Sequence, residues 1–334
     1  MVARVLAALA LVLVACSGDE AATLPTRPGE STTPAATDVG TVGSTEETSA
    51  DTPATVTTEA APTTEATPTT APPTTAAPTT TAAPTTTAPP TTVVPTVDAK
   101  AWAVYDTRTG KYLTSHEADA RLPVGSLIKL LTAQTAYAAG EPTRIATAPP
   151  GLIIDEAESR IGIYEGQELP RDLLIRALLI VSANDAARML AMDIAGGEAQ
   201  FAELMNQQAA ALGLENTHAV NATGLDADGQ YSSAADMTRL AALLMGNQTF
   251  QLTVARRDAT LNGQTLPATN DLLRSYPGAD GVKTGHTTAA GWCIVASATR
   301  ENRRIIATVL GAPSREARDA AATALLDWAF AQPL

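Results

Sequence analysis

Between Ser17 and Thr96 the chain contains no Phe, Trp or Tyr, and its first aromatic residue is Trp102. That stretch is Thr, Pro and Ala with scattered acids. Such a composition cannot bury enough apolar surface to offset the entropy of ordering, so it reads as a disordered linker. Any folded body is thereby confined to residues 97–334, roughly 240 residues, enough for one sizeable core or two lobes around a cleft. Repeated Ala-Pro-Thr-Thr units between Ala61 and Pro90 favour extended, polyproline-like segments. At ~3.1 Å per residue, about 80 residues reach on the order of 250 Å when fully drawn out. The dense threonine also suits an O-glycosylated stalk.

Ahead of the linker, Met1-Val2-Ala3-Arg4 and the run Val5 to Ala15 place one positive charge before an apolar segment. At about eleven residues the segment is too short to span a bilayer as a stable helix, and it suits a secretory signal. It ends Leu13-Val14-Ala15-Cys16, which is similar to a bacterial lipoprotein signal. That resemblance implies cleavage before Cys16 and lipidation of its thiol. The protein would then be exported, held by lipid to the outer face of the cytoplasmic membrane, and able to reach into the cell wall. The alternative is an ordinary secretory signal with an incidental cysteine. The domain plan is therefore a signal at 1–15, a lipidated cysteine and linker at 16–96, and a folded domain at 97–334.

The chain carries a net charge of −13. Setting aside Arg4, Arg27 and the nine acids up to Glu65 leaves 20 basic against 26 acidic residues, so the folded part is near −6. No basic cluster points to nucleic acid. Beyond Cys16 the only cysteine is Cys293, so no internal disulfide can form; in the run Trp292 to Ala296 it reads as a small core residue. His116, His218 and His286 show no metal-ligand spacing, which argues against a zinc hydrolase, and no cofactor is implied. Their side chains read as structural. Asp226 and Asp228 sit in a Gly-bounded segment and read as turn formers.

A hairpin opens the domain, with strands at Ala101 to Tyr105 and Lys111 to Thr114 around a turn at Asp106 to Gly110. A helix is predicted from Ser126 to Ala139, followed by an irregular stretch from Pro142 to Ile163. Further helices are predicted from Leu169 to Val181 with Pro170 in the first turn, from Asn184, from Glu198 to Leu212, and from Ser232 to Met245. Strands follow at Gly281 to Thr284, Gly291 to Thr299 and Arg303 to Leu310, and a helix at Ser314 to Phe330 closes the chain. Strands at both ends with helices between predict an α/β protein whose terminal strands meet in one mainly antiparallel sheet beside a helical lobe.

Ser126-Leu127-Ile128-Lys129 opens the first helix, and residues three apart share a helix face. A serine hydroxyl needs a base to take its proton. Lysine serves only if burial and nearby positive charge lower its pKa. Two more short motifs follow in order: Ser182-Ala183-Asn184 between helical runs, and Lys283-Thr284-Gly285 at the end of a strand. Order and element types resemble the active-site set of penicillin-binding proteins and serine β-lactamases. Longer stretches narrow the resemblance: Ser182 to Ala187, Asn216 to Gly229, Gly281 to Thr287, and Ala290 to Ala298. Across residues 97–334 the chain resembles the low-molecular-mass D-alanyl-D-alanine carboxypeptidases, the peptidase S11 family, which implies the penicillin-binding-protein/β-lactamase-like transpeptidase fold.

The resemblance implies a role for each matched residue. Ser126 attacks the carbonyl of the penultimate D-alanine and Lys129 takes its proton. Ser182 relays a proton to the leaving amine, and Asn184 holds the substrate backbone. Lys283 keeps Lys129 neutral and, with Thr284, orients the terminal carboxylate. Gly285 lets substrate lie close to the strand. The backbone N–H groups of Ser126 and His286 form the oxyanion hole. Arg315 matches an arginine near the carboxylate pocket; a surface charge at a helix start is its other reading. Implied partners are peptidoglycan stem peptides, β-lactam antibiotics as covalent inhibitors, and the membrane through the N-terminal lipid.

The chain departs from the family in having Val124-Gly125 before the serine where Pro-Ala is usual, and in a short segment between the first two motifs. A class A β-lactamase would need a Glu and an Asn four apart to activate the deacylating water, and Glu203 and Asn206 are only three apart. A D,D-endopeptidase uses the same groups and stays open, as does a catalytically idle, penicillin-sensing wall lipoprotein.

Overall fold

In this computed structural model the described residues are 93–152, 155 and 157–333. The readings made for the signal, Cys16 and most of the linker therefore lie outside them. Strands β1 (Ala101–Asp106) and β2 (Lys111–His116) form the predicted hairpin. Its turn is organised by Asp106, whose carboxylate accepts from the Arg108 N–H at 2.8 Å. Instead of one helix from Ser126, a 3-10 turn (Gly125–Ile128) leads into α1 (Lys129–Ala138). Gly125 enters the turn at φ +55°, a conformation open to glycine and costly for other residues.

The stretch expected to be irregular holds β3 (Ile145–Thr147), paired with β4 (Glu168–Pro170). Pro170 therefore ends a strand, and α2 (Arg171–Ile180) starts one residue later. The remaining helices of the lobe are α3 (Asn184–Ala195), α4 (Glu198–Ala211), α5 (Ala234–Leu244) and α6 (Gln248–Val254). The α5 start follows its capping residue: Ser233 Oγ accepts from the Asp236 N–H at 3.1 Å. Next come an unpredicted small hairpin, β5 (Asp258–Leu261) and β6 (Gln264–Pro267), and the single turn α7 (Leu272–Ser275). The chain closes with β7 (Ala279–Thr287), β8 (Gly291–Arg300), β9 (Arg303–Ala312) and α8 (Arg315–Ala331), the last capped by Ser314 Oγ.

The principal sheet runs β2-β1-β9-β8-β7, antiparallel throughout. As predicted, the first and last strands of the folded domain meet there, with Ala101 opposite Leu310 and Asp106 opposite Ile305. Alternation along β1 divides the core. Trp102 and Val104 pack under α8 with Leu325 and Leu326. Ala101 and Ala103 face the helical lobe, where Leu127, Leu130, Met189 and Phe201 are fully buried. The nucleophile turn thus lies between the sheet and the lobe, against the outermost strand β7.

Candidate active site

Three elements converge on a cleft of roughly 590 Å³. The 3-10 turn contributes Ser126, the α2–α3 junction Ser182 and Asn184, and β7 contributes Thr284, Gly285 and His286, all of which line the space. The turn and the strand touch through backbone. A Cβ on Gly285 would lie 2.7 Å from Val124 O and 3.1 Å from both Ser126 N and Leu127 N. The absence of a side chain at Gly285 therefore seats the nucleophile turn, a role the resemblance did not imply.

Beneath the cleft floor, Lys129 is fully buried. Its Nζ donates to Asn184 Oδ1 at 2.6 Å and to the Thr223 carbonyl, and lies 3.0 Å from Ser126 Oγ. A neutral amine has two N–H donors and one lone pair. With both donors taken by carbonyl oxygens, the lone pair is left for the serine proton. Burial holds the Lys129 pKa well below the ordinary lysine range, the positive charge of Lys283 adds to this, and Glu158 opposes it. Lys283 is itself buried and donates to the Thr284 carbonyl at 2.8 Å. Burial, reinforced by Arg318, lowers its pKa to about 7. The three groups can therefore perform nucleophilic acyl transfer with an amine as base.

Ser182 holds φ +63°, unusual for a serine, and is almost fully buried where α3 begins. Strained backbone of this kind clusters at functional sites. Thr284 Oγ1 donates to Thr269 Oγ1 at 2.8 Å, which fixes its hydroxyl at the rim. The His286 ring stacks on Trp292 with centroids 4.1 Å apart.

Arg315 also lines the cleft, half exposed, with its Nε donating to Asp271 Oδ2 at 2.7 Å. One helical turn on, Arg318 lines the same cleft but is 2% exposed, its guanidinium 5.7 Å above the Trp292 ring. Arg318 was missed from sequence, although three residues' spacing puts both arginines on one face. Glu158 and Trp292 were missed as well. Asp226 does more than shape a turn: its carboxylate accepts from Thr287 Oγ1 at 2.6 Å and from the Ala289 N–H, tying its loop to the end of β7. Glu203 is exposed, and Asn206 is spent on both backbone groups of Ala219, so neither borders the cleft.

Residues 84–314 match the peptidase S11 family, described as D-alanyl-D-alanine carboxypeptidase. The chain belongs to that family. Over 244 residues this S11 chain is 35% identical to the D-alanyl-D-alanine carboxypeptidase DacF of Bacillus subtilis, covering 70% of the chain and 63% of the relative. It is 36% identical over 246 residues to DacA of Escherichia coli, again 70% of the chain but 61% of that protein. It thus spans about three fifths of the length of both. For DacB2 of Mycobacterium tuberculosis the figures are 35% identity, 70% of the chain and 82% of the relative. Among solved structures, penicillin-binding protein 6B from Escherichia coli superposes with a TM-score of 0.66 at 36% identity, over 70% of this chain and 78% of that one. A mutant of the Streptomyces K15 DD-transpeptidase gives 0.67 at 30% identity, over 71% of this chain and 100% of that one. The penicillin-binding-protein fold expected from sequence is the fold observed.

Proposed function

We propose that the protein is a serine-type D-alanyl-D-alanine carboxypeptidase that trims peptidoglycan stem pentapeptides and binds β-lactams covalently. The observation that carries this reading is the bonding of Lys129, whose two donors are spent on Asn184 and Thr223 while Ser126 Oγ stands 3.0 Å from Nζ. Lys129 Nζ takes the hydroxyl proton as Ser126 Oγ bonds to the penultimate D-alanine carbonyl carbon. The oxygen charge that develops is met by backbone N–H groups of Ser126 and His286. As the C–N bond breaks, the proton passes through Ser182 to the departing amine, releasing D-alanine and leaving an ester on Ser126. Water then cleaves the ester, its proton returning by the same groups. Thr284 and the arginines of α8 line the cleft, and with the buried Lys283 behind Thr284 they are the groups that would meet the terminal carboxylate.

The test is D-alanine release from a stem pentapeptide ending D-Ala-D-Ala, with Ser126→Ala as the comparison. Release that disappears in the variant supports the reading. Labelling of Ser126 by penicillin without any release would point to a D,D-endopeptidase or to a penicillin sensor. We assign the N-terminus to export and lipid anchoring at Cys16, which would hold the domain at the outer face of the membrane. Cys16→Ala should move the protein from the membrane to the soluble fraction, and unchanged membrane association would end that assignment.

A further inference from the structure

We infer that Glu158 is a positioning residue for acylation: its carboxylate fixes the Asn184 amide so that the carbonyl oxygen, and not the NH2, faces Lys129 Nζ. The inference rests on the serine–lysine reading above. The two ends of an asparagine amide have nearly the same shape, so hydrogen-bond partners decide which way it points. On one side, Asn184 Oδ1 accepts from Lys129 Nζ at 2.6 Å; on the other, Asn184 Nδ2 donates to Glu158 Oε2 at 2.7 Å. An ionised carboxylate only accepts. Turning the amide over would set its oxygen against that carboxylate and its NH2 against the Lys129 amine. The amine could then accept only with the lone pair that Ser126 requires. A charged acceptor on one N–H also strengthens the oxygen at the other end of the amide. The second Nδ2 hydrogen stays available to a substrate carbonyl.

Glu158 is itself firmly held. Arg188 meets both of its carboxylate oxygens, at 3.0 and 3.3 Å, and also pairs with Glu198 at 3.2 Å. The loop that carries Glu158 is tied to α3 in two ways. Ser159 O accepts from the Asn184 N–H at 2.7 Å, and the Asp185 carboxylate accepts from the N–H groups of Ile161, Gly162 and Ile163. Glu158 lines the cleft yet its side chain is only 13% exposed. The charges facing Lys129 are Lys283 from β7, Arg188 and Asp185 from α3, and Glu158 from this loop. Removing the negative charge of Glu158 leaves the positive ones less opposed, which favours neutral Lys129 at lower pH.

The experiment measures the second-order rate of Ser126 acylation by a fluorescent penicillin, from about pH 5 to pH 9.5. It uses the full chain and its Glu158→Ala, Glu158→Gln, Asn184→Ala and Glu158→Ala/Asn184→Ala variants. Glu158→Ala should slow acylation about tenfold, and less than about twofold once Asn184 is already alanine. The isosteric Glu158→Gln should move the acid limb of the rate profile to lower pH, a change that loss of packing alone would not cause. Equal losses in both backgrounds, or a Glu158→Gln limb that stays in place, would overturn the inference. Thermal melting of each variant assigns a loss shared by both backgrounds to folding. An unmodified chain that penicillin never labels would overturn the functional reading, and the positioning role with it.

Discussion

Gly285→Ala isolates the contact between β7 and the nucleophile turn. The φ of Gly285 lies outside the left-handed region, so alanine brings no backbone strain and acts only through its new methyl. That methyl would start 2.7 Å from Val124 O, where ordinary contact begins at 3.4 Å, so strand and turn must separate by about 0.7 Å. The opposing atoms are backbone and cannot rotate aside, so the turn moves as a unit and carries Ser126 with it. Overpacking of this kind costs ~1–3 kcal/mol, which in a domain of this size lowers Tm by roughly 2–12 °C. The effect on rate should be larger in relative terms. A misplacement near 1 Å costs on the order of 10²-fold, and Ser126 Oγ would leave its 3.0 Å position beside Lys129 Nζ. Differential scanning fluorimetry gives the first quantity and fluorescent-penicillin acylation gives the second. A variant that melts lower yet acylates within about threefold of the unmodified chain would refute the argument that this contact seats the nucleophile.

Lys283→Met removes a charge and little volume. Acylation needs neutral Lys129, so the rate falls as pH drops through its pKa; without Lys283 that pKa rises, and the acid limb should move to higher pH. An unmoved limb in the rate profile would exclude Lys283 as the group that tunes the base. The same lysine predicts a pH dependence of stability. Its pKa is about 7 when folded against 10.5 for the free group, so between these values the unfolded chain binds more protons. Between pH 7 and pH 9, below the range where the buried Cys293 thiol opposes it, Tm should therefore climb less steeply in Lys283→Met than in the unmodified chain, as thermal melts would show. Asp106→Ala tests the scaffold alone. It strips a buried Arg303 of a partner 2.8 Å away, with side chains 7% and 0% exposed, a loss of ~3–5 kcal/mol. Arg303 opens β9, while Ala312, opposite Trp292 of the cleft, ends it. Acylation by the folded protein should hardly change while Tm falls by several degrees, and a parallel drop in the acylation rate would contradict this.

Local chemistry made much of the molecule legible in sequence. The helix starts read at Ser232 and Ser314 are within two residues of α5 and α8, and the continuous apolar run Ala101 to Val104 matches a strand buried on both faces. Ser126 and Lys129 sit where the 3-10 turn passes into α1 and Ser182 and Asn184 where α3 begins, so these element starts meet around the Lys129 amine, while Lys283 lies mid-way along β7. Tertiary contact decided the rest. The turn at Gly125 became 3-10 because the His286 backbone lies against it, a neighbour 161 positions away. Strands β3 to β6 are three or four residues long, too short for a periodicity to register. Arg315 and Arg318 look equivalent on paper. Only the position of Trp292 and Asp271 makes one a buried cleft wall and the other a rim charge. Glu158 acquires its significance from Asn184, which the fold brings to it.

The strand order β2-β1-β9-β8-β7 also sets a timetable. A chain made from its N-terminus produces Ser126 and Lys129 early, on a turn that has nothing to lean on. Its support, Gly285, and the cation that depresses the lysine pKa both arrive with β7, and the inner partner of β1 arrives only with β9. Until then the amine is solvated and protonated and the hydroxyl is inert. Such long-range closure is slow compared with helix formation, so the lobe has time to form first. Reactivity towards acyl donors is in this sense withheld until the outermost strand is laid down, and a chain interrupted before residue 279 carries the nucleophile and its base without Lys283 and Gly285.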